Sequence, residues 1–109
     1  MPYTPKVLGQ SNPSATTLTD AYTVPALTKA TVSTILVANR SATPTTFRIS
    51  VAVAGAADSL EQYTHYDIPI PGNDTFGATI GMTLGPADVV RVYATLATLS
   101  FNIFGIEEA

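Results

Sequence analysis

The chain has 109 residues, enough for one domain around a single hydrophobic core. It contains no cysteine, which excludes disulfides, thiolate metal ligands and cysteine nucleophiles. Charged residues make up 12% and the formal net charge is −3, against the clustered cationic surface that nucleic acid requires; no apolar run approaches the ~20 residues of a membrane helix.

Only two lysines are present, Lys6 and Lys29, whereas threonine and alanine supply 17 and 15 residues. Depletion of Lys, Glu and Asp is the compositional mark of protein interfaces, and a surface poor in these charges tends to associate. A solvated, threonine-rich sheet face has the same composition, so both readings stand at this point.

Residues 1–16, MPYTPKVLGQSNPSAT, carry Pro2, Pro5 and Pro13 with Gly9, Ser11 and Asn12 between them. Prolines at this density withhold ladder donors and favour extended backbone. An extended N-terminal arm is expected here, with at most a short strand at Lys6, Val7 and Leu8, preceding a β-sandwich domain over residues 17–109. The start lacks a basic stretch followed by an apolar run, so no signal peptide is expected and synthesis in a cytoplasm follows.

Beyond the arm the chain reads as short strands. Runs of β-branched and aromatic residues occur at 18–24 and 30–38. From Thr45 to Val53 the residues alternate, with Phe47, Ile49, Val51 and Val53 on one face and Thr46, Arg48, Ser50 and Ala52 on the other. A further run covers 61–68, and Thr75 to Leu84 alternates with Phe76, Ala78, Ile80, Met82 and Leu84 inward. Two more runs follow at 88–96 and 99–106. Period two over such lengths marks half-buried strands. Turn-forming clusters separate them, among them Pro71-Gly72-Asn73-Asp74 and Gly85-Pro86-Ala87-Asp88. The count is seven strands, or eight if the N-terminal piece pairs, which predicts an all-β antiparallel sandwich: a jelly roll at eight, an immunoglobulin-like sandwich at seven. Gly77 and Gly81 fall on the outward side of their strand, where a glycine marks either close approach of another backbone or a local bend.

Catalytic equipment is not legible. The only histidine, His65, stands two residues before Asp67, and in a regular strand the two point the same way, about 7 Å apart. A triad needs a nucleophile on a strained turn, and no G-x-S-x-G occurs. A metal site needs a third ligand, and there is no second His or Cys to supply it. Asp58, Asp74 and Asp88 fall in turns, where aspartate caps its own backbone. No enzyme activity, cofactor or metal is therefore expected. Tyr22, Tyr63, Tyr66 and Tyr93 offer apolar rings with a polar tip, which keeps a carbohydrate-binding module open as an alternative.

The segments "TVPA", "NRSATPTTFRISV", "PGNDTF", "DVVRVYA" and "SFNIFG" resemble a family of small virion-associated structural proteins of tailed bacteriophages. The likeness spans roughly residues 8 to 108. It implies a non-enzymatic part of the particle: a capsid decoration (cement) protein bound to the major capsid protein or another virion protein, or else a tail, baseplate or fibre accessory. A homo-oligomer is expected with it, a trimer before other states, without nucleic acid or membrane as partner. The candidate partner contacts are Tyr3, Pro5, Lys6, Val7 and Leu8 of the arm, together with Gly77 and Gly81.

Overall fold

A computed structural model describes residues 3–109. Eight strands run in chain order as β1 (Tyr3–Ser11), β2 (Thr19–Thr23), β3 (Lys29–Asn39), β4 (Thr45–Ala52), β5 (Tyr63–Ile70), β6 (Thr75–Leu84), β7 (Val89–Ala94) and β8 (Leu99–Glu108). They form two four-stranded sheets, ordered β1-β8-β3-β6 and β2-β7-β4-β5. Every pairing between these strands is antiparallel. Strands 1 and 8, 2 and 7, 3 and 6, and 4 and 5 are partners, as when one long hairpin is wound around a barrel. This is the jelly-roll order, and it excludes the immunoglobulin-like alternative.

The sandwich closes over one core. Val32, Ile35 and Val37 of β3 and Leu99, Phe101 and Ile103 of β8 meet Phe47 and Ile49 of β4 and Val90 and Val92 of β7, all essentially without solvent exposure. Phe47 sits centrally, with ring centroids 5.1 Å from Phe76 and 6.1 Å from Phe101 in tilted and edge-on geometry, as aromatic quadrupoles prefer.

The expected arm takes a different form. Over Tyr3–Ser11 it is an edge strand of the sandwich, paired to β8 from Tyr3–Glu108 through Ser11–Phe101. An edge strand is paired on one side only, which is why Pro5 is tolerated within it. A bulge between Val7 and Gly9 turns Leu8 into the core. Residues 1–2 of the expected arm lie outside the described residues.

The inward face of β6 matches its alternation, with Ala78 and Leu84 buried and Phe76, Ile80 and Met82 packed against the core. Strand β4 follows its inward pattern as far as Val51, with Phe47 and Ile49 buried and Val51 packed against the core. Val53, expected inward, is 70% exposed, because the strand ends at Ala52 and a tight turn with Ala54 at φ 54° follows. Ser50 and Ala52, expected on the solvent side, are fully buried. The 53–62 connection folds over this part of the sheet, with the Arg91 guanidinium donating to the carbonyls of Ala56 and Gly55.

Candidate functional site

The outer face of the β1-β8-β3-β6 sheet is set by the same alternation that fills the core. Because Val32, Ile35, Val37, Phe101 and Ile103 point inward, their strand neighbours point out. The pairing register places these outward residues in rows. Pro5, Ile106, Thr31 and Thr83 form one, and Val7, Phe104, Thr34 and Thr79 the next. Gln10, Asn102, Leu36 and Gly77 make a third, and Ser100, Ala38 and Thr75 a fourth. No charged side chain occurs in these four rows. Charge enters at the two ends: Tyr3, Glu108 and Lys29 share a row at one, and Arg40 donates to Asn12 and to the Ala97 carbonyl at the other. Val7, Leu36 and Ile106 are 46%, 37% and 37% exposed, so the face carries apolar surface in a hydroxyl-rich setting. Shallow grooves border it at both ends, one along Gln10, Asn12 and Asn102, the other along Tyr3, Thr83 and Ile106.

Five of the seven expected contact residues belong to this face or its rim. Tyr3, Pro5 and Val7 lie on its free β1 edge, and Gly77 and Gly81 on β6 at the opposite edge. A Cβ at Gly81 would meet nothing within 4 Å, so the fold of the chain itself does not require glycine there. A Cβ at Gly77 would sit 3.3 Å from Leu36 Cδ2. The other two residues do different work. Leu8 is a core residue. Lys6 donates to Glu107 at 3.2 Å, and the Tyr22 hydroxyl donates to the same carboxylate at 2.6 Å. This trio ties β1 and β8 of one sheet to β2 of the other. The Tyr22 hydrogen bond, then Lys6, holds the Glu107 carboxyl below its ordinary pKa, while burial and Glu107 push the Tyr22 phenol well up. Tyr22 is thereby removed from the set of surface tyrosines.

Sequence reasoning missed the exposed apolar positions Leu36 and Ile106 and the half-buried Phe104 between them. Strand β3 carries a register shift between Val32 and Thr34, so its inward phase changes halfway and a simple period-two reading breaks down. In β8 the signal was available, since Phe101 and Ile103 alternate with Asn102 and Phe104, but both phases contain large residues.

The opposite outer face differs in chemistry. Arg48 of β4 projects between Tyr66 and Tyr93, with its guanidinium carbon 4.1 and 4.5 Å from their ring centroids. Tyr63 meets Tyr66 edge-on at 5.1 Å. Arg48 Nε donates to Asp67 at 2.7 Å, and Arg91 Nε donates to Asp20 at 3.0 Å. The expected alignment of His65 with Asp67 does not form. Ile68 pairs with Phe47 and His65 with Ile49, leaving Tyr66 and Asp67 together opposite Arg48 in a bulge, with Asp67 at φ 52°. His65 stays on the core side, 5.7 Å from Phe76 ring to ring, and its burial lowers its pKa. Among the described residues no three His, Asp or Glu side chains gather as metal ligands.

The class these features define is an eight-stranded jelly-roll sandwich with one outer sheet face whose central rows carry no charge. Comparison with protein-family models, curated proteins and solved structures returns no match.

Proposed function

We propose that this jelly roll is a non-enzymatic structural component of a bacteriophage virion, acting as a capsid decoration (cement) protein that bridges shell subunits. The observation that carries an assembly role is the outer face of the β1-β8-β3-β6 sheet, four rows without a charged side chain. A charged rim could not be brought against a neighbour without desolvation cost, whereas threonine hydroxyls and apolar groups can. The phage context is supported by the sequence resemblance alone. Copies of the chain associate through this face, with a closed threefold arrangement expected before other states. Such a trimer stabilises a shell by binding the assembled state and not the free subunits. The major capsid protein is the expected partner; a tail, baseplate or fibre accessory would use the same face.

The test is made on particles of the phage that encodes the chain. The reading predicts that purified particles contain it in many copies, and that particles made without it lose their genome at lower temperature. Restoring the purified protein should restore their stability. A chain abundant in lysates and missing from purified particles would overturn the reading.

A further inference from the structure

The cluster on the opposite sheet has the build of a ligand site. Tyr66 and Asp67 are raised together on the β5 bulge, and both are about half exposed, at 49% for Tyr66 and 48% for the Asp67 side chain. Arg48, by contrast, is largely enclosed, gripped by Tyr66 and Tyr93 and by the Asp67 carboxylate. In the adjoining row the hydroxyls of Thr46 and Thr95 lie 2.7 Å apart. The side chains are therefore fixed before any ligand arrives, which limits the entropy lost on binding.

We propose that Tyr66, Tyr93, Arg48 and Asp67 form a binding site for a neutral saccharide. The half-exposed Tyr66 offers the ring face turned away from Arg48 to the C–H side of a pyranose, and a carboxylate with free lone pairs accepts sugar hydroxyls. The charge balance sets the ligand class. Arg48 is already neutralised by Asp67 at 2.7 Å, so an anionic ligand would have to displace that carboxylate. A cation would find the guanidinium beside it. A neutral, hydroxyl-rich ligand does neither. The site lies on the sheet opposite the uncharged face, so it remains accessible in a subunit docked through that face, and it stands whether or not that docking occurs.

The chain has five tyrosines and no tryptophan, so tyrosine ring resonances report binding directly. The full chain is titrated by NMR with neutral hexasaccharides of glucose (α- and β-linked), N-acetylglucosamine and galactose, with heparin as an anionic comparison. At least one neutral glycan is expected to shift the Tyr66 and Tyr93 signals. Tyr66→Ala should weaken its binding about tenfold, the scale of one lost aromatic contact. Asp67→Asn should also weaken it; asparagine tolerates the left-handed backbone, so this variant keeps the bulge even if Tyr66→Ala loosens β5. Absence of any shift at about 10 mM glycan, where a millimolar site would be filled, overturns the proposal and leaves the cluster as a protein-contact patch. A response to heparin alone, or undiminished binding by Asp67→Asn, overturns it as well.

Discussion

Leu36 and Gly77 face each other across the β3–β6 pairing, and the leucine Cδ2 occupies the space that a side chain on residue 77 would otherwise claim. The glycine thus lets Leu36 lie down on a face that has no charge. Two residues further along, Thr79 continues the row pattern, and Gly81 opens it again with nothing within 4 Å of its would-be Cβ.

Gly81 consequently separates folding from association. Gly81→Ala is expected to leave thermal unfolding unchanged or raise it slightly, because alanine restricts the unfolded chain and fits the open site. If a neighbouring backbone approaches this strand, the same substitution weakens self-association. Paired measurements of unfolding temperature and dissociation constant check both halves. A variant that associates like the parent would move the contact away from β6.

Acid should loosen the sandwich in two stages. His65 has a lowered pKa in the folded chain, so the unfolded chain takes up the proton first. That contribution is complete above the ordinary histidine value of 6.5 and is lost as pH falls from there towards the lower folded value. Glu107 also has a lowered folded pKa, so its contribution is present above the ordinary 4.5 and disappears as pH falls through the folded value. Urea midpoints measured across about pH 7.5 to 3 should fall in both windows. Tyr22→Phe should shrink the second window selectively, since its hydroxyl is the main cause of the Glu107 shift.

The N-terminal segment is a strand, and this reverses what an arm would predict. Removing residues 1–14 deletes Leu8 from the core and bares the β8 edge. The truncated chain is expected to lose several kcal/mol, of the order of a buried leucine plus its ladder, and to aggregate. Circular dichroism melts of the truncated and full chains measure this; identical melts would mean that β1 is dispensable.

Asn39 and Ser50 make an opposed pair. Asn39 is 3% exposed; its amide donates to the carbonyls of Thr43 and Pro71, and its carbonyl accepts from the Ser41 backbone and the Thr98 hydroxyl. It staples three loops, so Asn39→Ala should cost about 2–4 kcal/mol. Ser50 is fully buried and its hydroxyl has no partner. Ser50→Ala should therefore stabilise the chain, by about 1 kcal/mol. Denaturant midpoints of the two variants should move in opposite directions.

Most of the fold was legible because two kinds of signal agreed. The alternation of β6 from Phe76 to Leu84 predicted its inward face residue by residue. Turn clusters such as Pro71 to Asp74 fixed where strands ended, and Asn73 there does adopt a positive φ. What was hidden depended on long-range pairing. Nothing local in Tyr3 to Ser11 tells a proline-rich arm from an edge strand; the partner, β8, lies some hundred residues away. The bulges in β3 and β5 were equally silent, and they decide that Leu36 is exposed and that Asp67 meets Arg48 instead of His65. The tyrosines were visible as a set, yet only tertiary structure sends Tyr22 inward and gathers the others around Arg48.

The central claim, that the uncharged β1-β8-β3-β6 face is a surface for association, is tested most directly by light scattering behind a sizing column. A solution mass about three times the 11.4 kDa of one chain is expected, falling to that of a single chain when Leu36→Lys puts a charge in the middle of the face. A single-chain mass for the unaltered protein at every concentration, or a trimer that Leu36→Lys leaves intact, would contradict it.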